Sequence, residues 1–301
     1  MLGKTRQSYY QREKYIYKKQ VKASILKEMV EEIRKEQPKL GGRKLLEMPR
    51  LKESMDIGRD AFFDFLRENK LLVRKTKKRA ITTDSRHWLH KYPNLIKEFI
   101  PTSAHQLWVS DITYLETKEN GFVYLFLITD AYSRKIIGWH LSETMDAENA
   151  LKALYMALKI LPAEGNNLIH HSDRGVQYCC HKYVNLLKKA NIKISMTANG
   201  DPLENAIAER VNGILKTEWL YHKALKNKHE AYSEIAKIVN IYNEKRPHSS
   251  LDMLTPEQAH KRNGELKKRW KNYKRIKYEE YLKKKNEKLS LEIPEKAMVK
   301  L

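Results

Sequence analysis

Three carboxylates in this sequence sit where a charge is costly unless it does something. Asp111 falls in the middle of WVSDITYL, between apolar neighbours, where an unpaired ionised group is expensive to bury unless it is paired or holds a metal. Asp173 ends the predicted strand in IHHSDRG, at the carboxyl edge where ligands gather in α/β sheets. Glu209 lies within NAIAERVNGILK, a helical stretch that puts it on one face with Asn205 and Lys216. Hard oxygen donors on separate elements, with no Cys or paired His to favour zinc, suit Mg²⁺ or Mn²⁺. Such ions can activate a nucleophile and stabilise a leaving oxygen. Taken singly, each acid is more commonly an N-cap, a turn residue or an ion-pair member; only the constellation argues for chemistry.

The elements that must position these acids follow from the apolar pattern. Leu107 to Leu115 is rich in β-branched and aromatic residues, Asn120-Gly121 supplies a hairpin turn, and Phe122 to Ile128 is too apolar for a solvated strand. Ile136 to Leu141 follows a turn at Tyr132-Ser133-Arg134, predicting three antiparallel strands with the second central and buried. A helix from Asp146 to Leu161 with a stripe of Leu151, Leu154, Leu158 and Leu161 ends at Pro162. Then come a strand (168–172), a helix (182–190), a strand (192–196) and a helix from Asn205 to about Trp219. Three strands, helix, strand, helix, strand, helix predicts a mixed α/β sheet with helical cover.

Before it, Val21, Ile25, Met29 and Ile33 recur every four residues on a predicted helix face, stopped by Pro38 and Gly41-Gly42. A second helical stretch carries Leu45, Leu46 and Leu51; a third runs from Arg59 to Lys70 with Phe62, Phe65 and Leu66, and Gly58 lies in the turn between them. That spacing is helix-turn-helix-like, although any small helical bundle gives the same pattern. The expected organisation is a helical DNA-binding region over 1–85, a linker over 86–102 that continues the basic run Arg74 to Arg79 and Thr82-Thr83-Asp84-Ser85, a catalytic unit over 103–260 and a basic tail over 261–301, helical or partly disordered.

Charge points to the partner. The 301 residues carry a net charge of +22, distributed as +13 over residues 1–100, +2 over 101–250 and +7 over 251–301. A nearly neutral centre between basic ends favours a polyanion, nucleic acid above all. No run approaches the length of a membrane span and the N-terminus lacks a secretory apolar stretch, so a cytoplasmic, nucleoid-associated location is expected. Cys179 and Cys180 are adjacent, which offers neither a disulfide framework nor zinc spacing.

Together the segments resemble the second-frame (OrfB-type) transposase of bacterial insertion sequences, whose catalytic domain is retroviral-integrase-like. The resemblance covers about Gly41 to Ala259 and rests on WVSDITYL, ITDAYSRKIIGWHLS, IHHSDRGVQY, GDPLENAIAERVNGILKTEW and YNEKRPHSSLDMLTPEQA. It also rests on the 35 residues between Asp173 and Glu209 and on Lys216, seven positions after the glutamate. It implies an RNase H-like fold over roughly 103–220, with Asp111, Asp173 and Glu209 as catalytic metal ligands for two Mg²⁺ or Mn²⁺ ions. It implies nicking that exposes a 3′-OH, then attack of that hydroxyl on another phosphodiester. Lys216, Arg210 and Arg174 are the candidates for contact with double-stranded DNA, both element ends and target, and Asn205 for supporting Glu209. A homo-oligomer on DNA, and a partner protein or frameshift fusion from an upstream frame, are implied as well. Leu203-Glu204 stand where the family has Tyr-Asp, and Arg210 where it has Ser; the His-His-Cys-Cys zinc domain of retroviral integrases is absent.

Other residues read as structural. Asp130, beside Ser133 and Arg134, is expected to accept turn hydrogen bonds. His170 and His171 alternate sides of a strand and cannot both face metals, so they are read as packing or orienting groups. Arg246 and His248 match the family pattern but have no role derivable from sequence. Two other functions compete: a DNA-binding regulator without catalysis, and an RNase H-like nuclease without strand transfer.

Overall fold

The structure, a computed structural model, describes residues 6–73, 88–97, 99–162, 167–198 and 205–267. The basic run at 74–79, the Leu203-Glu204 pair and the tail from 268 lie outside the described residues.

Five strands form one mixed sheet in the order β3-β2-β1-β4-β5. β1 (Leu107–Thr117), β2 (Gly121–Asp130) and β3 (Ile136–Ser142) make an antiparallel meander. β4 (Ile169–Ser172) and β5 (Lys193–Met196) extend it in parallel beyond β1. With helical cover on both faces this is the RNase H-like fold expected from sequence. β2 is interior, as its unbroken apolar run requires, but the strand at the centre of the whole sheet is β1, the one that carries Asp111.

Side chains alternate across the sheet with period two. Trp108, Phe126, Ile128 and Ile137 face α5 (Ala147–Leu158) and α7 (His181–Lys189), where Leu151, Leu154, Ala157, Val184 and Leu187 complete one core. Leu125, Leu127, Ile136 and Leu141 face the other way, onto α8 (Ala206–Glu218) and α9 (Lys228–Glu244) through Val211, Ile214, Ile235, Ile238 and Tyr242. Gly138 permits the closest approach between layers: a Cβ there would stand 2.3 Å from the Ala153 carbonyl oxygen, so any side chain would force α5 off β3. α6 (Val176–Cys179) links β4 to α7, and α10 (Pro256–His260), opened by a Thr255–Gln258 capping box, follows α9.

Several helical expectations are corrected. α5 stops at Leu158, a turn short of Pro162, and α9 was not read from sequence at all. α1 runs from Arg6 to Glu36, but its buried residues are Leu26, Met29 and Val30; Val21 and Ile25 are exposed. A strict four-residue step overruns the 3.6-residue turn and drifts around the helix, so that stripe could not stay on one face. The second helical stretch is two short helices, α2 (Gly42–Leu46) and α3 (Pro49–Ser54), because Pro49 starts a new helix instead of continuing the old one. α4 (Arg59–Glu68) closes a small core with Leu40, Leu45, Leu51, Phe62 and Leu66.

The helical unit is fastened to the catalytic one. The Trp219 indole N–H donates to the Glu36 carbonyl at 2.7 Å, and Lys44 meets Glu218 at 3.3 Å. In the segment expected as linker, Leu89 and Tyr92 pack on the sheet core, and the Leu95 N–H donates to Ser195 Oγ at 2.9 Å. No helix among the described residues is long and apolar enough to cross a membrane.

Candidate active site

Strand register explains why two acids 62 positions apart in the sequence become neighbours. Val109 pairs with His171 in the parallel β1–β4 ladder; two residues further along each chain stand Asp111, in the middle of β1, and Asp173, just past the end of β4, with the strands about 4.8 Å apart. The consequence appears in Asp111. Burial pushes its carboxyl up from 3.8 to about 7, the charge of Asp173 adds to the rise, and Glu209 adds a smaller contribution.

Two hydrogen bonds oppose that rise. Asn212 Nδ2 donates to Asp111 Oδ2 at 2.7 Å, and the Ile112 N–H donates to Oδ1 at 3.0 Å. Asp173 Oδ1 accepts the Gly175 N–H at 3.0 Å; a Cβ on Gly175 would come within 3.0 Å of that same oxygen, so the absence of a side chain keeps the loop close to the carboxylate.

Glu209 stands in the first turn of α8, exposed. Asn205, expected to support it, is buried at the helix start, and its amide donates instead to the Ser110 carbonyl at 3.1 Å, tying α8 to β1 one residue before Asp111. Lys216 is buried; its ammonium lies 4.6 Å from the centre of the Tyr114 ring, and burial lowers its pKa while Asp111 raises it. Arg210 is exposed on the other side of α8, and Arg174 is half-buried beside Asp173.

Below Asp111 lies a polar buttress. His170 Nε2 sits 2.7 Å from Ser110 Oγ and 3.0 Å from the Tyr183 hydroxyl, and His171 Nδ1 lies 2.9 Å from Ser195 Oγ. Both rings are buried, and burial drives His170 down to about 3, so it is neutral at physiological pH. Asp130 accepts from the Ser133 N–H and hydroxyl and from the His105 N–H, each at 2.8 Å, the turn-acceptor role expected of it. Asn212 was missed from sequence, although its place three residues after Glu209 put it on the same helix face.

The donor set suits a hard divalent cation, since Asp111 and Asp173 present oxygens whose charges repel until one is supplied. Among the described residues no three carboxylate, His or Cys groups close round a common point; Glu209 is carried on a separate element, α8.

The chain matches the integrase core domain family over residues 101–202, and a second integrase core domain description over 190–256. It is 38% identical over 218 residues to the insertion element IS600 uncharacterized 31 kDa protein of Shigella sonnei, covering 71% of this chain and 79% of that one. It is 34% identical over 200 residues to transposase InsF for insertion sequence IS3A of Escherichia coli, covering 66% and 69%. Among solved structures, the HTLV-2 integrase catalytic core domain in complex with magnesium aligns at 18% identity and a TM-score of 0.43, over 54% of this chain and 99% of that one.

Proposed function

From the premise that this chain belongs to the insertion-sequence transposases with an integrase core domain, and so is an enzyme of the DDE type, we propose that it cuts DNA at element ends and joins them to target DNA. Asp111, Asp173 and Glu209 are its catalytic carboxylates in this reading. The observation that carries it is the β1–β4 register, which sets Asp111 and Asp173 two residues beyond the Val109–His171 pair on adjacent strands, so that the charge of Asp173 and, less, that of Glu209 raise the Asp111 carboxyl.

Mg²⁺ or Mn²⁺, two ions per site, would be held by Asp111 and Asp173 with Glu209 as the third ligand. Bound there, the metals supply the positive charge that activates water or a 3′-OH and steadies the leaving oxygen. The protein's own part is positioning. Asn212 fixes one oxygen of Asp111, Gly175 fixes one of Asp173, and Asn205 sets α8 against β1. The Ser110–His170–Tyr183 hydrogen bonds hold the strand ends from beneath without contributing charge.

Double-stranded DNA is the partner of this reading, with a homo-oligomer assembling on it. Residues 1–85 would supply much of the affinity: from Arg6 to Lys22 every residue of α1 is exposed, six of them Lys or Arg. Arg174 and Lys216 remain the candidates for phosphate contact near the acids, and Arg210 for contact on the other side of α8.

The test is a duplex carrying the element's ends, incubated with the protein and Mg²⁺ or Mn²⁺. Joined products support the proposal. Nicks without joining would make the chain a nuclease, and binding without either would make it a regulator.

A further inference from the structure

On the side of α8 opposite the carboxylates lies a cavity of about 600 Å³, lined by Lys44, Arg134, Arg210, Arg246, His248 and Ser250 among others. The ridge that closes it is the Ala206, Arg210 and Ile214 side of the helix, whereas Glu209, Asn212 and Lys216 turn toward β1. Four cations meet there. Arg246 is fully buried, its Nε and one terminal nitrogen each donating to Glu218 at 2.7 Å. Glu218 also accepts from Lys44, at 3.3 Å. Asp130, whose charge reaches Arg134, is taken up by Ser133 and His105. One carboxylate pairing with Lys44 and Arg246 leaves the cavity with excess positive charge.

A second observation is independent of that charge balance. His248 is buried, and its Nε2 has no hydrogen-bond partner. An unmet buried ring nitrogen is costly and is normally satisfied by something. Burial, then Arg246, Lys44, Arg134 and Arg210 in turn, hold this ring far below its ordinary pKa, so it is a neutral donor or acceptor and not a fifth cation. Lys44 itself is pulled down to about 8 by burial and by Arg246, with Glu218 opposing. Each of these penalties would ease if an anion entered.

We propose that this cavity seats one backbone phosphate of bound DNA, received by Lys44, Arg210 and a His248 N–H, with the Ser249 and Ser250 hydroxyls at its rim. The assignment rests on the reading of the chain as a DNA strand transferase. A phosphate fits better than a planar carboxylate because donors approach from three elements, α2, α8 and the 246–250 segment, and a tetrahedral group presents acceptor oxygens to all of them. DNA is the source because Ala206 and Arg210 of the lining belong to the helical turn that carries Glu209 on its other face. The seat also bridges the helical unit, through Lys44, and the catalytic unit, so an occupied cavity would clamp the two together on DNA. This gives Arg246 a task as well: it orients the Glu218 and Lys44 heads.

Binding of the full-length chain to a short random-sequence duplex over a KCl series tests this, with Lys44→Gln and Ser250→Asp compared after a thermal melt shows each is folded. With one phosphate fewer neutralised, the plot of log affinity against log salt should become shallower by about 0.9 for Lys44→Gln. Ser250→Asp, which places a carboxylate at the rim, should weaken binding at low salt by about tenfold or more. Should Lys44→Gln fail to fold, Ser250→Asp carries the test alone. Unchanged slope and affinity in the folded variants would overturn the proposal. So would stabilisation of the native chain, but not of Ser250→Asp, by inorganic phosphate with DNA binding unaltered, which would make the seat one for a free anion. Failure of the native chain to bind duplex at all would instead overturn the strand-transferase reading along with this one.

Discussion

Replacing Asp111 by Asn should make the metal-free protein more stable, and the gain should depend on pH in a defined way. In the unfolded chain this carboxyl ionises near 3.8, whereas in the fold burial and the charge of Asp173 hold it protonated up to about 7. Between those values the folded state keeps a proton that the unfolded state has lost, so native stability falls as pH rises through the window and stays reduced above it. At 1.36 kcal/mol for each pH unit, the full penalty is about 4 kcal/mol, a ceiling because Asp173 shares the repulsion. The amide introduced by the substitution can keep the Ile112 N–H as donor. It also finds a partner in Asn212, whose Oδ1 is buried without one and needs only an amide flip to accept. For a unit of this size each kcal/mol moves the melting temperature by roughly 2–4 °C. In EDTA at pH 8, Asp111→Asn should therefore melt above the native chain, by up to roughly 8–16 °C, and the gap should close as pH approaches 4. Mn²⁺ should raise the native chain and leave the variant little changed, since a ligand stabilises only the state that binds it. A variant that melts below the native chain at pH 8, or a gap independent of pH, would refute a repelling acid pair between β1 and β4.

Asp111→Asn, Asp173→Asn and Glu209→Gln should each abolish cleavage and joining while duplex affinity, measured by anisotropy, stays within a few-fold; substantial joining by any one of them removes that residue from the site. Neutralising Lys14, Lys18, Lys19 and Lys22, all exposed on α1, should flatten the salt dependence of DNA binding by up to about 0.9 for each phosphate left without its cation, and an unchanged slope would place the footprint elsewhere. Glu218→Gln leaves the buried Arg246 without its counter-charge, so chemical denaturation should show a loss of about 3–5 kcal/mol; a loss near zero would mean the pair is dispensable. His260, lowered to about 4 chiefly by burial, bonds Ser133 Oγ at 2.9 Å and meets His105 at 3.2 Å. Its folded state resists a proton the unfolded chain accepts, so stability should fall as pH drops from about 6.5 to 4, and His260→Gln should flatten that part of the profile in a melt series.

What could be read from residues alone divides along a physical line. The apolar and β-branched runs over 107–141 specify strands, the one over 122–128 being unbroken because both sheet faces are covered there. The nearness of Asp111 and Asp173 follows from parallel pairing of β1 with β4, in which both acids lie two residues beyond the Val109–His171 pair. Contacts set by which helix lands on which surface stayed out of reach. Glu218 and Arg246 are 28 positions apart and Lys44 is 174 from Glu218, so no local period could announce the cluster. Each of the three, taken alone, looks like a solvated charge. Lys216 illustrates the same limit, for helix spacing placed it on the acid face but could not show that Tyr114 would cover it.

The same division bears on how such a site could work. The two aspartates are fixed by strand register and by hydrogen bonds from Asn212 and Gly175, whereas Glu209 rides on a helix whose position is set by contacts at both its ends. At its start Asn205 holds the Ser110 carbonyl; at its finish Glu218 is gripped by Arg246 and by Lys44 from the N-terminal unit, and Trp219 bonds the end of α1. A helix anchored to two units transmits their relative placement to the acid it carries. Of the three proposed catalytic carboxylates, Glu209 is thus the one carried on an element that the helical unit touches, and the cavity behind α8 is where a DNA phosphate, as proposed, would meet both units together.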